Sequence, residues 1–386
     1  MAEVNTYRKS LGLFELVSLG VGGTVGSGIF VVPGVAAKLS GPWSLLAWLV
    51  VALSASCVLL SLAYVSFRFT SSNGFYSLFT SVFGARFAVP LIILYLISSV
   101  FGVSTIAAGI GQYLNYFGVS NVLLIEVAII GAFCWLNIIG ISFSGTTENF
   151  LTTLKIIPLV IISLLLIPYI NPDNFVPRTP FTATGLLATV IIVYWPFTGF
   201  EISAIVAEET RNPAFIRKSL ILVMAVVVSL YLLINIALIG SVGTEVLSVS
   251  PAPIATAASL LFSRSGTLVA IIGIVAMLSA INAYIIGTSR ILQSISAQFS
   301  IPKIQDLNVR GTPAPALIAG CAISGCLLLF SNHFDQLATI SVITILIPYI
   351  FFCLASWVLV PDIKARLISA AGAISTAAIL VIYFIV

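Results

Sequence analysis

The feature that most limits the fold of this chain is a series of long apolar runs that follow one another along most of its length. A run of about 20 apolar residues, coiled as an α-helix, spans the hydrocarbon core of a bilayer. Of the 386 residues, 60% are hydrophobic and only 7% are charged, whereas a soluble domain carries about 25% charged residues. The chain cannot form a water-soluble surface, and we expect an all-α polytopic membrane protein.

Eleven apolar segments are predicted as transmembrane spans. The eighth is too long for one span, so we expect its helix to continue beyond the membrane toward Gln298. No soluble domain is expected at either end, and residues 1–386 are predicted to form one transmembrane domain. The segments lie near residues 13–38, 43–68, 86–117, 120–140, 148–170, 183–207, 217–242, 256–298, 313–331, 337–360 and 367–386.

Lysine and arginine residues between the spans predict the orientation of the protein. With a cytoplasmic N-terminus, twelve of them lie on the inner side and three on the outer side, in agreement with the positive-inside rule. The expected localisation is therefore the cell membrane, multi-pass, with the N-terminus in the cytoplasm. An odd number of spans then places Val386 outside. The inner set is Arg8, Lys9, Arg68, Arg86, Arg211, Arg217, Lys218, Arg290, Lys303, Arg310, Lys364 and Arg366, and the outer set is Lys38, Arg178 and Arg264.

Several functional classes are disfavoured by the remaining composition. The five cysteines lie inside apolar runs and His333 is the only histidine, so no disulfide, metal site or other cofactor is expected. The net charge of +4 does not indicate a nucleic-acid partner. An intramembrane enzyme needs a catalytic constellation, and a channel needs a repeated filter loop or a ring of like charges. Neither pattern is found, and the spacing of Ser27 and Lys155 does not place them together as a dyad.

Two of the eleven segments contain residues that interrupt a helix near its middle. Residues 21–34 read VGGTVGSGIFVVPG and residues 193–204 read VYWPFTGFEISA; glycine and proline are the poorest helix formers. In hydrocarbon, irregular backbone persists only where protein or a watery cavity surrounds it. The first stretch has an alternative interpretation as a small-residue helix contact through Gly22 and Gly26. That interpretation is weakened because the sixth segment has its own break beside Glu201.

Breaks in the first and sixth spans predict an inverted repeat. Interruptions at corresponding positions of two halves are typical of secondary transporters. We therefore expect a 5+5 inverted-repeat fold with discontinuous first and sixth transmembrane helices. The repeats would be residues 13–170 and 183–360, with 367–386 as an additional helix.

Each break is expected to expose backbone groups to a ligand. The half-helix that begins after a break has unpaired N–H groups and a positive dipole end, which suit a carboxylate. The half-helix that ends before a break has unpaired carbonyl groups, which suit an ammonium group or a metal cation. Together, the two breaks predict a site for a small zwitterion.

Few ionisable residues lie inside the predicted spans, and each is costly in lipid. Lys155 either extends to the cytoplasmic interface or points into the bundle, where loss of water favours its neutral form and suits it to carry a proton. Glu201 lies beside the second break. Glu126 either reaches the outer interface or is functional, and Glu15 is expected to be an ordinary interfacial residue.

Four motifs in order along the chain resemble those of the amino acid–polyamine–organocation (APC) transporter family. The agreement extends from about residue 10 to about residue 300. The resemblance implies two inverted five-helix repeats with discontinuous first and sixth helices, although many members have twelve spans. The motifs are GSGIF at 26–30, an F-x-G-x-E pattern within WPFTGFE at 195–201, EETRNP at 208–213 followed by Arg217 and Lys218, and GTSR at 287–290.

The resemblance implies roles for individual residues. The substrate carboxylate would meet the Ser27 hydroxyl and the Gly28 N–H, while the ammonium group would meet carbonyls near Thr24, Trp195 and Thr198. Lys155 matches a fifth-helix lysine that takes the place of sodium in a subset of the family, which favours sodium-independent transport. The implied set is Thr24, Gly26, Ser27, Gly28, Trp195, Thr198 and Gly199 for the substrate, Trp195 and Phe200 for the gate, and Lys155 and Glu201 for coupling.

The expected function is secondary active transport of a neutral amino acid by alternating access, coupled to protons or running as exchange. A polyamine or a cationic amino acid, the alternative substrate, would need more acidic partners than Glu201 alone. Gly22 and Gly23 are expected to leave room beside the site, while Trp195 and Phe200 make it apolar. The implied partners are the amino acid, the lipid bilayer and, where transport is coupled to protons, the proton; the oligomeric state stays open.

Overall fold

A computed structural model of the chain describes most of its length as a bundle of helices. Among the residues it describes there is no β-strand, only an isolated bridge between Leu11 and Thr210. The described residues are 11–66, 74–139, 145–177, 180–205, 210–308 and 311–385. The predicted loop and flanking residues Arg8, Lys9, Arg68, Arg178, Glu208, Glu209 and Arg310, and the terminal Val386, lie outside these ranges.

Fifteen α-helices are present in the described residues, and every predicted span contains helix. The first span consists of two helices, α1 and α2, and the sixth contains α8 and α9. The helices are α1 Leu13–Thr24, α2 Ser27–Ser40, α3 Ser44–Val65, α4 Gly74–Phe83, α5 Ala85–Tyr116, α6 Leu123–Ile138, α7 Gly145–Leu166, α8 Ala183–Tyr194, α9 Ile202–Ile205, α10 Ala214–Val249, α11 Pro253–Ala258, α12 Ser265–Gln298, α13 Ala314–Phe330, α14 Phe334–Leu359 and α15 Ile363–Ile385.

Within the described residues, seven helical stretches of 21 to 53 residues are long enough and apolar enough to span a membrane. The longest, Leu13–Val65, covers the first two predicted spans. The fourth, sixth and ninth spans correspond to shorter apolar helices, Leu123–Ile138, Ala183–Phe197 and Ala314–Phe330. The predicted all-α polytopic membrane architecture is confirmed.

Two helices depart from the predicted boundaries. The short helix α4 lies in what was expected to be a loop between the second and third spans. The predicted eighth span, 256–298, is divided, because α11 ends at Ala258 and α12 begins at Ser265. The helix α12 does continue to Gln298, as its apolar length predicted.

The first span is broken at two residues. Val25 (φ −83°, ψ 83°) and Gly26 (φ −137°, ψ −140°) leave the helical region between α1 and α2. Glycine is also needed here for close packing. A Cβ atom at Gly26 would lie 2.6 Å from the Ala280 Cβ atom of α12, and a Cβ atom at Gly28 would lie 2.5 Å from the Pro196 Cα atom.

The sixth span is broken over a longer stretch. After α8, a 3₁₀ turn covers Trp195–Phe197, and its second residue is Pro196. Thr198 is extended (φ −85°, ψ 161°), and Gly199 has a φ of +91°, a left-handed conformation that glycine adopts without steric cost. A Cβ atom at Gly199 would lie 2.9 Å from the Gly23 carbonyl oxygen. The two predicted breaks are therefore both present, and they pack against each other.

The last helix, α15, is joined to the bundle by small and hydroxyl-bearing residues. The Ser61 hydroxyl of α3 donates to the Ser369 oxygen (3.1 Å), and Ser369 in turn donates to Ser356 of α14 (2.9 Å). At Gly372, a Cβ atom would lie 2.8 Å from the Cys353 Sγ atom. Such close contacts through small residues are typical of helix packing in membranes, and they fix α15 against α3 and α14.

At one end of the bundle the chain before α1 contacts the chain after α9; we call it the Leu11 end because Leu11 lies just before α1 begins. There the Arg211 N–H donates to the Leu11 carbonyl (2.9 Å) and so joins the chain before α1 to the chain after α9. Deeper in, a Cβ atom at Gly20 would lie 2.6 Å from the Val223 Cγ2 atom. The opposite end, where α2 ends, is called the Lys38 end.

Candidate functional site

The two breaks meet at a small central cavity. Its volume is about 10 Å³, close to the least space that a single water molecule occupies. Six of the seven predicted substrate residues line it, and the seventh, Gly199, lines a neighbouring cavity with Glu201. The lining residues are Gly23, Thr24, Gly26, Ser27, Gly28, Ile106, Trp195, Thr198 and Tyr284.

The expectation that the first-span glycines leave room beside the site is wrong for Gly23. A Cβ atom there would lie 2.5 Å from the Ile202 Cδ1 atom and 3.2 Å from the Gly199 carbonyl oxygen. The glycine lets the two broken spans approach each other instead of creating space. A ligand of amino-acid size therefore enters only when the half-helices move apart.

Lys155 lies inside the bundle and not at its surface. Its side chain is 1% exposed. The ammonium group donates to the Gly22 carbonyl (2.7 Å) and to the Ser279 hydroxyl oxygen (3.3 Å). Gly22 belongs to the last turn of α1, where carbonyl groups lack helical partners and the helix dipole is negative. A protein cation thus covers the carbonyl end of the first half-helix and ties α7 to α1 and α12.

Glu201 is held by two tyrosines from separate helices. The Tyr95 hydroxyl of α5 donates to its Oε1 atom (2.8 Å), and the Tyr349 hydroxyl of α14 donates to its Oε2 atom (3.0 Å). Both carboxylate oxygens of this buried residue are therefore partnered. Glu201 fixes the second break to α5 and α14, and it does not line the central cavity.

Trp195 lies across the cavity from the first break. Its indole Nε1–H donates to the Ser27 hydroxyl oxygen (3.3 Å), and its ring centroid lies 5.8 Å from that of Tyr284. The structure therefore places the predicted gate residue in contact with the predicted carboxylate-binding residue. The other predicted gate residue, Phe200, is stacked on Tyr349 with centroids 5.3 Å apart and does not line the cavity.

Carbonyl groups expected to bind the ammonium group already accept hydrogen bonds. The Trp195 carbonyl accepts from the Thr198 N–H (3.0 Å) and from the Thr198 hydroxyl (2.8 Å). The Thr24 carbonyl accepts from the Gly26 N–H (3.0 Å) and from the Tyr231 hydroxyl (2.9 Å). A carbonyl oxygen has two lone pairs, so an incoming ammonium group must replace one of these donors.

Two tyrosines at the site were not among the predicted residues. The Tyr231 hydroxyl of α10 lies 2.9 Å from the Thr24 carbonyl and 2.9 Å from the Pro196 carbonyl, and so connects the two breaks. The Tyr284 hydroxyl of α12 lies 3.0 Å from the Thr198 hydroxyl. The only signal in the sequence is a phenol inside an apolar span, whose hydroxyl needs a partner when buried.

The other two acids of the spans have different surroundings. Glu15 lies in the first turn of α1, where its Oε2 atom accepts from the Gly12 N–H (2.9 Å), which is a helix-capping role. Glu126 does not reach the surface: its side chain is 1% exposed, and a Cβ atom at Gly111 would overlap it. Its Oε2 atom has no hydrogen-bond partner among the described residues.

A much larger cavity opens at the Lys38 end. Its volume is about 560 Å³, within the range of about 300–1,000 Å³ that is usual for small-molecule sites. Its base lies close to the central cavity. Val31 lines the large cavity and is three residues from Gly28 of the central cavity, and Ile192 is likewise three residues from Trp195. We call it the Lys38 cavity; residues of α2, α5, α8 and α14 that line it include Val31, Lys38, Gln112, Ile191, Ile192 and Asp335.

Comparison with known proteins gives a consistent result. A family profile described as amino acid permease matches residues 11–386. The chain is 25% identical to the inner membrane transport protein YbaT of Escherichia coli, over 95% of this chain and 87% of that protein. It is 25% identical to the serine/threonine exchanger SteT of Bacillus subtilis, over 92% and 84%. It is also 27% identical to the branched-chain amino acid permease BcaP of Bacillus subtilis, over 60% of this chain and 55% of that protein.

Proposed function

Because this chain belongs to the amino acid permease family, whose members are transporters and not enzymes, we propose that it carries neutral amino acids across the cell membrane by alternating access. The substrate would bind as a zwitterion where the two broken spans meet. Sequence relatives include an exchanger for serine and threonine, a permease for branched-chain amino acids and a cationic amino acid transporter, so they support an amino acid as the substrate, and the preference for a neutral one comes from the site.

The observation that carries this proposal is the difference between the two half-helix ends at the first break. The carbonyl end of α1 is covered by the Lys155 ammonium group. The N-terminal end of α2 faces the central cavity through Ser27 and Gly28, and α2 is a full-length helix of 14 residues. An N-terminus of this kind binds anions through its N–H groups and its dipole. A carboxylate is the group it suits.

The ammonium group of the substrate is assigned to carbonyls near Thr24, Trp195 and Thr198. Their present donors are the Tyr231 hydroxyl and groups of Thr198 and Gly26. Trp195 would release Ser27 when the carboxylate arrives and would then close over the substrate. Binding of the zwitterion is therefore coupled to a rearrangement of both breaks, which is what alternating access requires.

A neutral substrate is favoured over a cationic one by the position of Glu201. The residues that line the central cavity include no acid. Glu201 uses both of its carboxylate oxygens to accept hydrogen bonds from Tyr95 and Tyr349. A polyamine or a cationic amino acid would bring a second positive charge into a cavity without a carboxylate, which is costly in a buried site.

Sodium-independent transport is proposed from the position of Lys155. Its ammonium group already occupies the carbonyl end of α1 and a hydroxyl of α12, groups that a bound metal cation would otherwise use. The transport would be driven by protons or by exchange, with Lys155 and Glu201 as the residues that respond to proton binding.

The proposed inverted repeat is supported by which spans pack together. If each span is replaced by its counterpart in the other proposed repeat, several pairs of helices that pack together become other pairs that pack together. The contact of α5 with α14 becomes that of α12 with α7, and the contact of α3 with α14 becomes that of α10 with α7. The contact of α1 with α9 becomes that of α8 with α2, while α6 with α13 maps onto itself. We assign residues 13–170 and 183–360 as the two repeats and the N-terminus to the cytoplasm.

Uptake into liposomes that contain the purified protein tests the proposal. A panel of neutral, acidic and cationic amino acids and polyamines is tested with a proton gradient, with a sodium gradient and with internal substrate. We expect saturable uptake of neutral amino acids that a sodium gradient does not change. Uptake restricted to cationic substrates, or dependent on sodium, contradicts the proposal.

A further inference from the structure

We propose that the Lys38 cavity is a second, weaker binding site, at which a zwitterionic amino acid docks before it reaches the two breaks. The inference rests on the proposed function, because it concerns the same substrate class. It identifies a site that lies apart from the central cavity and shares none of its lining residues.

The cavity has the size and the surface of a ligand site. Its volume of about 560 Å³ exceeds that of the central cavity by far, so a small amino acid fits without any movement of the helices. Val31, Ile191 and Ile192 form an apolar wall. Apolar lining with a few polar groups that fix orientation is the usual composition of small-molecule sites.

The polar groups include one charge of each sign. Lys38 and Asp335 both line the cavity and both are exposed. A substrate carboxylate beside Lys38 and a substrate ammonium group beside Asp335 would each meet an opposite charge. A polyamine would be attracted by the Asp335 carboxylate but repelled by the Lys38 ammonium group, because like charges repel. The pair therefore favours a zwitterion over a cation.

Each charge also has a local structural explanation. Lys38 lies in the last turn of α2, and Asp335 lies in the first turn of α14, the positions at which these charges stabilise a helix dipole. Helix stabilisation does not require the two residues to share a cavity, and it does not affect substrate affinity. The measurement that separates the two roles is therefore the Michaelis constant, not protein stability.

The cavity is also on the route to the central site. Val31 lies three residues after Gly28 on α2, and Ile192 lies three residues before Trp195. Each therefore lies on nearly the same helix face as its partner and about 4.5 Å, just under one turn, away along the helix axis. Parting α2 from the 3₁₀ turn at Trp195 would join the two cavities. A docked amino acid then moves inward by about one helical turn.

The test compares four variants in the liposome assay, with leucine and serine as the substrates. Lys38→Gln and Asp335→Asn each remove one charge, and the double variant Lys38→Asp/Asp335→Lys exchanges the two. Arg264→Gln is the control, because Arg264 is exposed at the start of α12 and does not line the cavity. We expect each single variant to raise the Michaelis constant about two- to fivefold, the range for exposed charge pairs, with an unchanged maximal rate.

The charge-exchanged variant is expected to recover most of the affinity, since a zwitterion can dock in the reversed direction. Unchanged Michaelis constants in both single variants overturn the docking site, and so does an equal rise in Arg264→Gln. A lack of recovery in a double variant that inserts with wild-type thermal stability also overturns it. If that variant fails to insert, equilibrium binding of leucine is measured for the two single variants instead. Leucine affinity equal to that of the wild-type protein in both of them overturns the docking site. Absence of amino acid uptake by the wild-type protein overturns the proposed function instead.

Discussion

The two helix breaks line the same central cavity but are held in place in different ways. The first consists of two non-helical residues, and its carbonyl end is bound by Lys155 from α7. The second contains a 3₁₀ turn, a proline and a left-handed glycine, and it is bound through Glu201 to α5 and α14. The second break keeps its shape through its own backbone as well as through Glu201, whereas the first depends mainly on the Lys155 side chain. Both Lys155 and Glu201 can gain or lose a proton, and we expect the first break to respond more strongly to that change.

The largest effect is expected where the two breaks touch. Gly28→Leu places a side chain against Pro196, whose Cα atom is 2.5 Å from the Cβ position, and so forces the breaks apart. We expect liposome uptake to fall at least about 100-fold, because displacements of about 1 Å at a binding site have effects of that size.

The matched control for this substitution is Gly131→Leu on α6. A Cβ atom at Gly131 has no neighbour within 4 Å, so the variant is expected to insert and transport normally. Normal uptake by Gly28→Leu would mean that the contact between the breaks is not part of the site.

The next largest effect is expected at Lys155, the side chain that holds the first break. Lys155→Ala leaves the Gly22 carbonyl and the Ser279 hydroxyl without their cationic donor. Hydrogen bonds to charged groups contribute about 1.5–3 kcal/mol, so we expect uptake to fall about tenfold or more. The dependence of uptake on pH should flatten in the same variant.

Lys218→Ala, at an exposed position on α10, is the control for loss of a lysine. Measurement of uptake over a range of pH values decides the point. A pH profile identical to that of the wild-type protein would remove Lys155 from coupling.

A smaller effect is expected at the contact between the second break and the first. Trp195→Ala removes the indole that donates to Ser27, so occlusion of the substrate is weakened. We expect the Michaelis constant to rise about five- to tenfold, which corresponds to about 1–1.4 kcal/mol. Trp357→Ala, at a half-exposed position on α14, is the control, and unaltered kinetics in Trp195→Ala would remove this residue from the gate.

The smallest effect on transport is expected where Tyr349 binds Glu201 at the second break. Tyr349→Phe removes one of the two tyrosine donors to the buried Glu201 carboxylate, at a cost of about 1–3 kcal/mol in stability. Thermal unfolding should shift to lower temperature while uptake changes about twofold or less. Tyr169→Phe, at an exposed position, should change neither. A pH profile flattened as much in Tyr349→Phe as in Lys155→Ala would show that the two breaks respond equally to protons and would remove the contrast between them.

Much of the fold followed from the sequence because apolar length and helix-breaking residues act locally. The spans and both breaks depend on such local features: Gly26 and Gly199 leave the helix where they were expected to. Six predicted substrate residues meet at one cavity because they lie in the breaks themselves. The short helix α4 and the division between α11 and α12 were missed, since nearby apolar residues conceal a change of direction.

The remaining parts of the site depend on tertiary contacts, which sequence spacing does not reveal. Tyr231 and Tyr284 lie on long apolar helices and reach the breaks only after the bundle forms. The family resemblance implied a gate role for Phe200, but the left-handed Gly199 turns the chain, and Phe200 packs on Tyr349. The space expected at Gly23 is filled by Ile202 for the same reason.

The shared hydroxyl of Tyr231 has a consequence for the order of movements. A hydroxyl has one hydrogen, and here it lies between the Thr24 and Pro196 carbonyls at equal distances of 2.9 Å. If either half-helix withdraws, the whole hydrogen bond passes to the one that stays and holds it more firmly. Under the proposed alternating access, the phenol would penalise simultaneous release of both breaks and so would disfavour a pathway open to both sides of the membrane at once.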